Sequence, residues 1–178
     1  MLKTLAIIGV IAVVVVAGIL IYAATKPDSF RVQRTIVINA PPDKVLPLIT
    51  DFKAWPAWSP YEKKDPAMKR TYGATTAGKG ATYAWDGDRN VGSGSMEIMD
   101  APAPSRITIK LDFKRPFEAH NVADFTLVPV EGGTSVSWSM SGPTPFFGKI
   151  LHAFIDMDKM VGRDFEAGLA NLKTLAEK

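Results

Sequence analysis

At 178 residues the chain has room for one domain with a real core plus an accessory segment. It contains no cysteine, which excludes a disulfide framework and thiolate metal or catalytic chemistry. A net charge of +3 permits weak attraction to anionic membranes but is no nucleic-acid footprint, and only two histidines, His120 and His152, are present for imidazole chemistry.

Leu5 to Ala24 runs about 20 residues without a charge, long enough to cross a hydrocarbon core of roughly 30 Å. Lys3 precedes the run and Lys26-Pro27-Asp28 ends it. A cleaved signal peptide is the rival reading, with Ala23 and Ala24 as small residues near its end. A signal core is about 7–15 residues long, however, and this run exceeds that. An uncleaved membrane anchor over residues 5–24 is therefore expected. Its orientation is pulled two ways. Lys26, Arg31 and Arg34 after the span lean toward a cytoplasmic domain, whereas a short tail with Lys3 has the form of a signal anchor.

Phe30 to Asn39 alternates with β-branched residues throughout, which predicts a strand. Ala40-Pro41-Pro42-Asp43 opens a helix whose apolar face is Val45, Leu48, Ile49 and Phe52, with Pro47 placed to bend or shorten it. Phe52 to Tyr61 reads as a helical turn or second short helix. Glu62 to Gly80 is polar, with a strand possible at Met68–Tyr72. Lys63, Lys64, Lys69 and Arg70 there form a solvated loop, or a contact for anionic headgroups.

Alternating runs follow at Ala81–Asp86, Ser93–Met99, Arg106–Phe113, Glu118–Pro129 and Thr134–Met140, separated by turn chemistry that suits an antiparallel meander. Asp86-Gly87-Asp88 is a turn rather than a metal loop. Gly92-Ser93-Gly94-Ser95 lacks the Lys-Ser/Thr and the helix of a phosphate loop and reads as a glycine-bearing strand or bulge. Tyr83, Met96, Ile98, Ile109, Phe125 and Trp138 fall on one face, and Glu97, Lys110, Ser135 and Ser137 on the other, as in a sheet with one wet side.

From Thr144 to Lys178 apolar residues recur at steps of three and four, from Phe147 through Leu175. Roughly 30 residues at 1.5 Å each predict a rod on the order of 45 Å long, which needs a broad apolar partner such as a curved sheet. Gly148, Gly162 and Gly168 inside it point to close packing, with room for a ligand as the alternative.

The order strand, two short helices, about six strands and one long helix resembles the START-like, or SRPBCC, superfamily, in its polyketide cyclase/dehydrase and lipid-transport branch. The resemblance is carried by Arg34-Thr35-Ile36-Val37-Ile38-Asn39-Ala40-Pro41-Pro42-Asp43-Lys44-Val45, by Asp51-Phe52, by Trp55-Pro56-Ala57-Trp58-Ser59-Pro60, and by the stretch Asp164 to Lys173. It implies an α+β helix-grip fold, a curved antiparallel sheet around a long C-terminal helix, with a ligand cavity between them. The expected organisation is an anchor and linker over residues 1–28 and a helix-grip domain over 29–178, able to fold without the anchor.

Candidate ligand-binding residues are Trp58, Tyr61, Tyr83, Trp85, Met96, Phe113, Asn121, Phe125, Trp138, Phe146, Phe154 and Met157. Aromatic and methionine-rich walls with few polar groups describe pockets for hydrophobic ligands, although core packing explains many such residues one by one. Asn121 shares the alternation of Phe125 and Leu127 and should point inward, toward a ligand carbonyl or hydroxyl or toward a loop backbone. His120 points the other way, and His152 lies off the apolar stripe. No catalytic or metal-binding constellation is recognisable, and inward carboxylates are not apparent. The function expected is binding of a lipid-like or other hydrophobic small molecule by a membrane-anchored domain, without a cofactor. A cyclase or dehydratase using the same cavity and a protein-interaction module with a filled cavity are the alternatives. Ser141 to Phe147 either forms part of a cavity gate, with Trp58 and Tyr61 opposite, or staples the helix to the sheet.

Overall fold

Period-two alternation lets each strand bury one face, and seven strands do so together in one antiparallel sheet. The computed structural model describes residues 2–102, 105–152 and 154–178, without the side chains of Leu2 and His152. The flank position expected for His152 therefore lies outside the described residues.

The chain opens with α1 (Leu2–Ala24), followed by β1 (Ser29–Ile38), α2 (Pro42–Thr50), a 3-10 turn (Phe52–Ala57) and α3 (Pro60–Lys64). The strands β2 (Lys69–Tyr72), β3 (Thr82–Asp86), β4 (Ser93–Asp100), β5 (Arg106–Arg115), β6 (Ala119–Val130) and β7 (Gly133–Pro143) come next, then α4 (Phe146–His152) and α5 (Met157–Ala176). The sheet order is β1-β7-β6-β5-β4-β3-β2. Consecutive strands therefore pair from β2 to β7, and β1 returns to the far side of β7. Register slips between Ser93 and Gly94, which gives the glycine-bearing stretch the bulge expected of it.

Pro47 lies inside α2, which is only 9 residues long, and Asp51 N–H donates to the Pro47 carbonyl at 3.1 Å to end it. This brings Trp55 and Trp58 over the sheet, where each indole N–H donates to an α2 carbonyl, Ile49 and Leu48, at 2.9 Å.

Helix α5 crosses the inner face and is fastened along its whole length. Arg34 of β1 donates to both carboxylate oxygens of Asp158 at 3.0 and 2.9 Å and to Glu166 at 2.7 Å. Lys173 donates to the Val37 carbonyl at 2.7 Å, and the Asn39 N–H donates to Glu177 at 2.6 Å. Two glycines permit this closeness. A Cβ on Gly162 would collide with the Arg34 guanidinium, and one on Gly168 would stand 2.7 Å from Trp138 Cζ3. Close packing is the reason for both.

The single rod expected from Thr144 to Lys178 is two helices. Asp156 caps α5 by accepting from the Lys159 N–H at 3.0 Å, and α4 ends before it. The apolar spacing continues across the break, but Phe154 is 71% exposed and Ile155 42% exposed. These residues keep the helical period without a core to bury against.

The N-terminal helix is tied to the fold as well. Helix α1 packs against α4, and Ala23 is wholly buried. The Thr144 N–H donates to the Asp28 carbonyl at 2.7 Å, and the Lys149 ammonium pairs with the Asp28 carboxylate at 2.6 Å.

Candidate functional site

The inner face of the sheet is sealed at one end and accessible at the other. Ile98, Ile107, Ile109 and Phe125 have no exposed surface at all, while Met96, Leu111 and Met140 keep 7–9%. Beyond them, Trp85 and Phe113 are half-buried and meet edge to face at 5.7 Å.

The sealed end holds three of the twelve candidates. Trp138 stacks on Phe165 at 4.0 Å and on Phe125 at 5.0 Å, and Trp58 meets both Phe125 and Trp138 edge-on at 6.1 and 5.6 Å. Trp58, Phe125 and Trp138 thus spend their faces on one another and on α5. Tyr61 and Met157 lie half-buried at the margins. Phe146 and Phe154 are exposed rather than packed against the sheet. Phe147 contacts Phe117 at 6.2 Å.

The accessible end brings together Tyr83, Trp85, Met96, Phe113 and Asn121. Register sets Tyr83 beside Met96, Met96 beside Leu111 and Leu111 beside Asn121. Three strand spacings separate the ends of this row, about 14 Å. Its middle is apolar and its ends are polar.

At one end, Asn121 is 6% exposed. Its Nδ2 reaches only the Met140 sulfur at 3.9 Å, a weak acceptor, and its Oδ1 has no hydrogen-bond partner among the described residues. Trp138 Nε1 and Thr144 Oγ1 are also buried without a partner there. Buried polar atoms are normally satisfied, so an unmet acceptor on the inner face of β6 is unusual.

At the other end lies a carboxylate that the sequence did not reveal. Glu62 is buried, accepts from the Tyr83 hydroxyl at 2.8 Å and pairs with Arg70 at 2.6 Å. This corrects the expectation that inward carboxylates are not apparent. Burial, then the bond to Glu62, pushes the Tyr83 phenol up, so it stays neutral and donates. The Glu62 contact likewise raises the Arg70 guanidinium. Both Glu62 carboxyl oxygens are thus occupied, Oε1 by Tyr83 and Oε2 by Arg70. Arg70 faces inward opposite Trp85 rather than belonging to a solvated loop. His120 is exposed, as expected, and bonds to Asp112 at 2.7 Å.

Solved structures share this architecture. Protein CV1439 from Chromobacterium violaceum is 18% identical with a TM-score of 0.59, covering 86% of this chain and 99% of that one. The Aha1 dimer from Colwellia psychrerythraea is 16% identical with a TM-score of 0.60, covering 83% and 96%. The KanY protein is 19% identical with a TM-score of 0.62, covering 84% and 99%. At such identities the likeness shows the fold, a helix grip. No curated protein matches the chain. The model of the family described as polyketide cyclase / dehydrase and lipid transport matches residues 29–177, and the chain belongs to that family within the START-like (SRPBCC) superfamily.

Proposed function

We propose that the chain is a membrane-anchored binding domain for a lipid-like or other hydrophobic small molecule held at the accessible end of the sheet. The observation that carries this reading is the Asn121 amide oxygen, buried among Leu111, Met140 and Gly142 without a hydrogen-bond partner among the described residues. An acceptor left unmet inside an apolar wall favours a ligand that is mainly apolar and offers a hydroxyl or N–H donor at one end. Burial of the ligand's apolar part would contribute roughly 25 cal/mol per Å². The family's description, which includes lipid transport, agrees with this class.

Anchoring is supported by α1, whose stretch Lys3–Ala24 is long and apolar enough to cross a membrane and stays exposed over most of its length. The buried Ala23 and the packing of α1 on α4 favour retention over cleavage, because a discarded leader has no reason to pack into the fold it leaves. N-terminal sequencing of the membrane fraction tests this, and a soluble mature chain beginning near Thr25 would refute it. The domain is proposed to run from residue 29 to 178.

Turnover of the cyclase or dehydratase type is a second reading, favoured by the buried Glu62–Tyr83 pair beside the same row. Mass spectrometry of organic extracts of the purified full chain separates the two. Binding predicts an unaltered hydrophobic compound in stoichiometric amount. Turnover predicts conversion of an added polyketide-like substrate that Tyr83→Phe abolishes.

A further inference from the structure

We propose that Phe117, Phe146, Phe147 and Phe154 form a bilayer-docking surface that holds the accessible end of the sheet against the membrane, an inference that rests on the anchoring reading above. The four rings are 62%, 49%, 60% and 71% exposed, with Ile155 beside Phe154 at 42%. Scattered apolar residues on a surface are ordinary, but four exposed phenylalanines on α4, just after it and on the β5–β6 turn that meets it are not. Phe117 and Phe147 touch across two separate elements, the β5–β6 turn and α4.

Strand register decides what faces this group. Ser29 pairs with Pro143, Val122 with Ser141 and Phe113 with Ala119, so the start of β1, the end of β7 and the β5–β6 turn share one end of the sheet. The anchor enters the domain at that end, through Ser29. The β6–β7 turn at Glu131 lies at the opposite end. Helix α4, which carries Phe146 and Phe147, packs directly on α1. Asp28 fixes the junction by accepting from Thr144 and pairing with Lys149, itself only 8% exposed. Two of the rings thus ride on a helix packed against one long enough to cross a bilayer, a third meets Phe147 from the β5–β6 turn, and the occupant the geometry fits is the surface of that bilayer. Aromatic rings suit the headgroup boundary, where an amphipathic surface sinks about 5–10 Å. A hydrophobic ligand could then pass between bilayer and sheet without crossing water.

The absence of native cysteine makes the test direct. Single cysteines replacing Phe154, Phe117, Glu131 or Val13 in the full chain are labelled with bimane and reconstituted in phosphatidylcholine vesicles. Quenching by acyl-chain nitroxide lipid is compared with quenching by aqueous iodide. The expected result is several-fold stronger lipid quenching and weaker iodide quenching at Phe154→Cys and Phe117→Cys than at Glu131→Cys, with Val13→Cys quenched by lipid. Strong iodide quenching at both aromatic sites, with Val13→Cys still quenched by lipid, overturns the docking surface and leaves the anchor standing. Protection from both quenchers also overturns it, because protein, such as a second copy, then covers the rings. A Val13→Cys label insensitive to lipid overturns the anchoring reading and the docking surface together.

Discussion

Replacing Asn121 by Leu separates a ligand contact from a structural hydrogen bond. The side chain is 6% exposed, its Oδ1 is unpartnered among the described residues, and its Nδ2 contact with Met140 is long and weak. Leaving a buried acceptor unmet costs about 1–3 kcal/mol, and the Leu side chain has nearly the same volume. Imperfect fit of the branched side chain offsets up to about 1 kcal/mol of that relief. The ligand-free variant should therefore gain about 1 kcal/mol, which for a chain of this size raises the Tm by about 2–4 °C. Its ligand content should fall, since the hydroxyl or N–H of the ligand would lose its acceptor. The assay is thermal unfolding after organic extraction, paired with mass spectrometry of the extract. A loss of about 2 kcal/mol or more with unchanged ligand content would refute the reasoning, because the amide would then be supporting the fold.

Gly168→Ala should destabilise: the new methyl meets Trp138 at 2.7 Å and Pro60 at 3.0 Å, and overpacking of about 1–3 kcal/mol exceeds the roughly 1 kcal/mol of helix propensity gained. Denaturant titration checks the sign. Phe146→Ala should change stability by less than about 1 kcal/mol, because a half-exposed ring has little burial to lose, and a loss of about 3–5 kcal/mol would restore the staple. Asp158, bonded by Arg34, and Glu177, bonded by the Asn39 N–H and then Lys173, both have lowered pKa values. Their contribution is therefore full above the ordinary carboxylate range and is lost as pH falls through the depressed values. The urea midpoint should decline below about pH 4, and Asp158→Asn should flatten that decline. Removing residues 1–28 should leave a cooperatively unfolding chain with a lower urea midpoint than removing 1–26, since only the shorter deletion keeps Asp28 beside the buried Lys149. Equal midpoints would show that the pair contributes nothing.

The strands were legible because β-branched residues at period two allow one answer, as at Arg106–Phe113 and Thr134–Met140, and turn residues punctuate them. The break in the last helix was hidden because Phe154 and Met157 keep the helical spacing, while the competing signal is a single capping residue, Asp156. Periodicity reports which face is apolar and cannot report whether anything covers it, so Phe154 looked like cavity lining. Asn121 was legible from alternation on β6, although only the fold reveals that its oxygen meets no partner among the described residues. Glu62 was not legible. Helix α3 has 5 residues, too few for a period, and its partners Arg70 and Tyr83 lie 8 and 21 residues away. Trp138 shows the converse limit, since aromatic residues that line a site and those that fill a core alternate identically along a strand.

The most direct measurement is photocrosslinking with a diazirine-bearing hydroxylated lipid on the purified full chain, followed by peptide mapping. The account predicts adducts on the inner face of β4, β5 and β6, around Met96, Leu111 and Asn121, that an excess of unlabelled lipid removes. Adducts confined to α1, or spread over the outer face at Glu97, Lys110 and Ser137 without competition, would contradict it.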